Sequence, residues 1–440
     1  MIQARSIDGQ SRWFLLVLGL IYMFNFIDRT IVAVVGEAIR RDLALSDLQL
    51  GMMGGLAFAL FYAALGIPLA RLAERYSRVK IIAVVTALWS IMTMLSGAVT
   101  NYTQLLLCRM GVGIGEAGFT PALVSMISDR FEPSRRAFVF SLIATALPIG
   151  GAIAAVGGGA IAQAFGWRWT FVAVGFPGVL LALLLILTIS EPERIAAGNP
   201  EDTPPLMAVL RYLGKSPAFL HLTCGSGLVG LLGFGLNLFL IPLLVRRYGL
   251  PLSQAGLIFA FSFSLATALG TGFGGYIMGR LRRNDVRWGG WAPAVSLCLA
   301  LPFYLLAIYQ SDWRLLVGFL FIATICLYAF LPAIMTITQE LVEPRMRASA
   351  AALHAFGQTA AGLGIGSVLL GYLSDHLAAQ AFSGNYAAQC LAAKAAKSAT
   401  CLSASATGLQ HAMLAIGGVL LIAIYNYVRA GQRLQIEANF

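Results

Sequence analysis

Trp13-Phe-Leu-Leu-Val-Leu-Gly-Leu-Ile-Tyr-Met-Phe-Asn-Phe-Ile-Asp28-Arg29-Thr-Ile-Val-Ala-Val-Val35 is apolar almost throughout, yet carries two adjacent charges near its middle. A stretch of this length can cross a bilayer, which takes roughly 20 helical residues. Each ionisable group inside costs at least ~2.5–3.5 kcal/mol, so such residues face a cavity and serve a purpose. Neighbouring helical residues point ~100° apart, so Asp28 and Arg29 cannot readily satisfy one another. Partners are expected on another helix, and Arg109 and Glu116, in a later apolar stretch, are the candidates.

Working outward, the chain of 440 residues is 59% hydrophobic and 11% charged, with 47 glycines. Apolar runs separated by short charged loops indicate an all-α, polytopic membrane protein; the ten-residue alternation of an outer-membrane barrel is missing. Twelve spans are expected near 13–35, 48–70, 79–99, 102–128, 137–163, 167–190, 217–245, 253–279, 289–309, 313–341, 348–375 and 409–430. The first is too long and too charged to read as a cleaved signal peptide. The net charge of +11 comes from Lys and Arg concentrated in alternate loops. This positive-inside bias places both termini in the cytoplasm, in the inner membrane, and argues against nucleic-acid binding.

The acidic, proline-rich segment Ser190–Pro205 divides six spans from six, giving units 1–190 and 217–440 joined by a cytoplasmic linker, 191–216. Glu132-Pro133-Ser134-Arg135-Arg136-Ala137 matches Glu343-Pro344-Arg345-Met346-Arg347-Ala348 at an offset of 211 residues (343 minus 132). The same offset aligns Pro121-Ala122 with Pro332-Ala333, Leu142 with Leu353 and Gly151 with Gly362. Such internal similarity marks a fold of duplicated halves. It fails where Leu320 stands opposite Arg109 and Leu327 opposite Glu116, so the N-terminal half alone carries the ion chemistry.

Ala70-Arg71-Leu72-Ala73-Glu74-Arg75-Tyr76-Ser77-Arg78-Val79-Lys80 resembles the loop signature of the major facilitator superfamily, with Ala, Glu and Ser replacing Gly, Asp and Gly. Arg109-Met-Gly-Val-Gly113-Ile-Gly115-Glu116 is similar to that superfamily's fourth-span motif, and Pro148 with Gly150-Gly151 to its fifth-span motif. Asn25-Phe26-Ile27-Asp28-Arg29, taken with Gly113-Ile-Gly115-Glu116-Ala-Gly118-Phe119, resembles the spinster subfamily. The resemblance implies two pseudo-symmetric six-helix bundles and transport, not enzymatic catalysis. It also implies an amphipathic substrate of the lysophospholipid or sphingosine-phosphate class, and bacterial relatives thought of as proton-linked. Gly113, Gly115 and Gly118 also fit Gly-x-Gly-x-x-Gly, but a dinucleotide site needs a strand and a turn into a soluble helix. Small residues that let membrane helices approach explain them better. No Walker sequence for ATP-driven pumping occurs.

Arg109 and Glu116 are seven residues apart, a rotation of ~700° that returns them to within ~20° of one helix face. Asp28 and Glu116 are therefore the candidate proton-coupling carboxylates, with protons as the coupling ion and no cofactor or metal. Arg29 and Arg109 would hold the anionic end of the substrate in a forked geometry, with Asn25, Phe26, Phe119, Tyr328 and Phe356 around it. Arg71, Glu74, Arg75 and Arg78, opposite Asp129, would form a cytoplasmic gate, with Glu74 at the start of the eleventh span. Cys390 and Cys401, outside the membrane in this topology, would form a disulfide, consistent with an oxidising compartment. His354 reads as a packed or interfacial histidine. The partners are the bilayer and one small amphipathic molecule, and the protein is expected to act as a monomer. Efflux of amphipathic cations and a transport-dead lipid sensor are the competing readings.

Overall fold

The computed structural model describes residues 8–193, 206–282, 285–343, 346–391 and 398–437. The helical assignments follow the apolar runs. Among the described residues, eleven helices are long and apolar enough to cross a membrane, and Trp313–Tyr328 is a shorter apolar helix. Leu331–Glu340 extends that shorter helix, and together they form the tenth span. The first span runs Gly9–Asp42, longer at both ends than its apolar centre suggests, because Asp8 caps it and accepts a hydrogen bond from the Ser11 N–H. The second (47–75) begins at a capping box in which Ser46 and Gln49 satisfy each other's backbone donors. The third is Arg78–Ser96 and the fourth Tyr102–Arg130.

The fifth span (133–165) and Trp167–Thr188 complete the first six. A short amphipathic helix, Leu206–Leu213, precedes the seventh span, Pro217–Tyr248. The eighth (252–281), the ninth (Trp288–Tyr309), the tenth, the eleventh (347–381) and the twelfth (399–437) follow. The twelfth starts some ten residues before its expected boundary, because Ala399–Gly417 is small and apolar enough to remain helical beyond it. Residues 194–205 of the expected linker lie outside the described residues.

Gly51 and Gly55 of the second span lie against Leu363 and Ser367 of the eleventh, and Gly256 of the eighth lies against Ala155 of the fifth. These contacts join the two halves through backbone, where small residues permit close approach. Three spans at this seam contain π-helical turns: Met52–Leu56, Ala260–Leu265 and Ala360–Gly366. Ile31–Ile39 of the first span shares one buried cluster with the core of the C-terminal half. Phe14–Ile21, at the same helix's other end, belongs to a separate cluster with Trp89, Phe119 and Leu185. The halves thus merge at the end holding Ile39 and keep separate cores at the end holding Phe14.

Candidate functional site

The first and fourth spans cross so that each mid-span charge meets an opposite one. Arg109 Nη1 donates to Asp28 Oδ1 at 2.9 Å, and Arg29 Nε donates to Glu116 Oε2 at 2.5 Å. Thr93 of the third span donates its hydroxyl to the other Asp28 oxygen. Glycines pack the fourth span against its other neighbours, since a side chain at Gly113 would strike the Phe58 carbonyl of the second span and one at Gly115 the backbone of Trp89 in the third. The fourth-span glycines are therefore packing residues.

The two ion pairs differ in access. Asp28 and Arg109 are buried, with side chains 2% and 3% exposed, whereas the Arg29 side chain is 32% exposed against 0% for Glu116. Arg29 also lies over two rings of the second span, 4.8 Å from the Phe58 centroid and 4.9 Å from that of Tyr62. In the pairs and on the first span one turn away, three buried polar atoms have no hydrogen-bond partner among the described residues: Arg109 Nε, Glu116 Oε1 and Asn25 Nδ2. Buried polar atoms are ordinarily satisfied, so this cluster holds bonding capacity that the fold does not use. Phe58 and Tyr62 were not among the expected site residues. Their i,i+4 spacing on an apolar helix is the signal that they share a face.

The expected aromatic residues sit in different surroundings, and Phe119 departs from the expectation. Phe119 is fully buried between Tyr22 and Trp89, at centroid distances of 5.5 and 5.8 Å, and is core here. Phe26 is half-buried against Gly151 of the fifth span, and Tyr328 stands edge-on to Phe263 of the eighth. Phe356 is 57% exposed. His354 is buried and bonded to Thr223 at 3.1 Å.

The residues of the expected cytoplasmic gate, which would latch the halves while the cavity is open outward, have different surroundings here. Arg71 and Arg75 are exposed, and the Glu74 side chain lies outside the described residues. Arg78 alone meets Asp129; it also donates to Ser125 Oγ at 2.9 Å, to Glu191 Oε1 at 2.7 Å and to the Pro192 carbonyl at 2.8 Å. Ser125 and Asp129 belong to the fourth span and Glu191 and Pro192 to the first residues of the linker, so Arg78 ties the N-terminal bundle to the start of the linker. Burial pushes the Glu191 carboxyl up, but hydrogen bonds from Ser77, Arg78 and the Val79 N–H outweigh it and hold the group below the usual carboxylate range.

The joint between the halves lies at the opposite end and was not foreseen. Arg246, closing the seventh span, donates to Glu37 at 2.6 Å and to both Asp47 oxygens at 2.6 Å. Arg41 also donates to Glu37, at 2.7 Å, and Ser374 to Asp47, at 2.6 Å. Asp375 of the eleventh span accepts from the Asp47 and Leu48 N–H groups at 3.0 and 2.8 Å, capping the second span from the other half. Arg246, Glu37 and Asp47 are at most 3% exposed. Glu37, Arg40 and Arg41 at helical spacing near a span end were the available signal. Cys390 and Cys401 are bridged beside this joint, with Cα atoms 5.4 Å apart.

The Major Facilitator Superfamily model matches residues 18–305 and 222–428. An MFS-type efflux pump of Mycolicibacterium smegmatis is 34% identical over 361 residues, covering 82% of this chain and 84% of the pump. Human protein spinster homolog 1 is 28% identical over 391 residues, covering 84% of this chain and 74% of its own. A crystal structure of a bacterial homologue to the human lysosomal transporter spinster, inward-facing and unoccupied, superposes with a TM-score of 0.88 at 32% identity, covering 98% of this chain and 99% of that one. The closed joint at Arg246 agrees with that inward-facing form. The chain belongs to the major facilitator superfamily, within its spinster-like group, and is a multi-pass membrane transport protein, not an enzyme.

Proposed function

We propose that this transporter moves an amphipathic, anionic, lipid-like molecule of the lysophospholipid or sphingosine-phosphate class by proton-coupled alternating access. Both termini face the cytoplasm of the inner membrane, and units 1–190 and 217–440 rock about the linker 191–216 as a monomer. One observation carries the reading: the most accessible of the four mid-span charges is Arg29, a permanent cation lying on Phe58 and Tyr62 and held by a buried carboxylate. A guanidinium on an aromatic bed offers a fork for a phosphate or carboxylate and an apolar wall for the chain behind it.

Protonating Glu116 releases Arg29 for the substrate; deprotonation restores the internal pair and expels the anion. Arg109 and Asp28 keep the fourth span in register beneath, with Asp28 as the second candidate proton carrier. The similarity to the bacterial and human spinster proteins supports the lipid-like class. The mycobacterial efflux pump favours export of amphipathic molecules as a second reading.

Proteoliposomes carrying Glu116→Gln or Asp28→Asn test the coupling with a lysophospholipid substrate. At least one variant is expected to lose pH-gradient-driven transport while retaining exchange. Full gradient dependence in both would refute the coupling. Preferential transport of amphipathic cations would favour the efflux reading.

A further inference from the structure

A cavity of about 770 Å³ opens in the C-terminal half at the end opposite Arg246, and nothing above uses it. Its wall is built from the end of Leu206–Leu213 (Tyr212) and the residues after it (Lys215), the end of the eighth span (Arg282), the end of the tenth (Ile337, Glu340) and the end of the twelfth (Leu434). Gly289, in the first turn of the ninth span, lies against Ile337 and Leu434. The N-terminal half has a smaller counterpart of about 280 Å³, between the start of the first span and the ends of the fourth and sixth. There the cation is engaged: Arg130 donates to Ser11 Oγ at 3.2 Å and lies 5.0 Å from the Phe14 ring centroid.

The larger cavity is different. Lys215 is exposed, and Arg282 meets Glu340 through its terminal nitrogens while its Nε is buried without a partner among the described residues. Two cations and one carboxylate therefore line a chamber shared with Ser216, Pro217, Val286, Leu341 and Val342. The helix alongside buries Val209 and Leu213 but exposes Met207, Leu210 and Tyr212, with Arg211 on its last turn. A short helix with an apolar outer face and basic residues lies in the headgroup layer. Basic pockets between membrane helices at that depth take anionic lipid headgroups.

We propose that this cavity is a second lipid site, separate from the transport site, which holds the headgroup of an anionic bilayer phospholipid between Lys215 and Arg282. The phosphate takes the free valence of Arg282 and the Lys215 ammonium, and the acyl chains run along Met207, Leu210 and Tyr212.

Native mass spectrometry of the full-length protein, titrated with phosphatidylglycerol or phosphatidylcholine, tests this. Every protein carries Arg29→Ala, so that the transport site does not contribute. Phosphatidylglycerol is expected to bind at least tenfold more tightly than phosphatidylcholine. Lys215→Gln with Arg282→Gln should erase that preference, whereas Glu340→Gln, which removes the competing carboxylate, should keep or raise it. sn-Glycerol 3-phosphate, carrying the phosphate without chains, should not compete at equal concentration; competition would make this a soluble-phosphate site and overturn the lipid assignment. Equal binding of the two lipids, an unchanged preference in the double variant, or its loss in Glu340→Gln would also overturn it.

Discussion

At the scale of single residues, the two mid-span ion pairs divide the work by access. Removing one member of a buried pair leaves an uncompensated charge and costs about 3–5 kcal/mol. Arg109→Ala, next to a 2% exposed Asp28, should therefore lower the thermal midpoint in detergent sharply. Arg29→Ala should lower it less, because Arg29 is one-third exposed. An equal loss in both would contradict the division. The charges themselves were legible in the sequence, since ionisable residues in apolar runs need partners and only a few were present. Which pair faces open space was not legible. That depends on the neighbours Phe58, Tyr62 and Thr93, whose side chains are unremarkable on their own helices.

At the scale of elements, the spans were legible from hydropathy, and the glycine-rich fourth span from the need for close packing. The helix ends were less so, because Asp8 and the Ser46–Gln49 box extend helices into polar sequence. The seam between the second and eleventh spans was not foreseen: glycines in an apolar run do not say which helix they touch. Gly55 lies against the Leu363 carbonyl, whereas Gly66 has open space around it. Gly55→Ala inserts a methyl into a contact that exists only while this end is closed. Overpacking costs about 1–3 kcal/mol, and each ~1.4 kcal/mol is tenfold in population. Spin-label distances across the Arg246 end should lengthen in Gly55→Ala and stay unchanged in Gly66→Ala. Matching distributions in the two would refute the role given to the seam.

Across the whole molecule, the closed joint around Arg246 and the separate cores at the other end describe one half-cycle. Arg246→Ala would strand Glu37 and Asp47 together in a buried site, and like charges there repel. The same spin-label distances should lengthen further than in Gly55→Ala; an unchanged joint would remove Arg246 from the gate. The gate escaped sequence reading because its members lie some 200 residues apart, and the repeat that aligns the halves does not align contacts between them. In the proposed mechanism the binding site connects to this cycle through Glu116. When an anion takes Arg29, the buried carboxylate loses its cation, and such a site favours the neutral form. Substrate binding should therefore take up about one proton, and affinity should fall as pH rises. Equilibrium binding of an anionic lysolipid and its neutral analogue across pH, in the wild type and in Glu116→Gln, measures this directly. The account predicts a wild-type affinity for the anion that weakens with rising pH, a tight and nearly pH-independent affinity in Glu116→Gln, and no pH dependence for the neutral ligand. A Glu116→Gln protein that keeps the wild-type pH dependence, or a neutral ligand that shares it, would contradict the account.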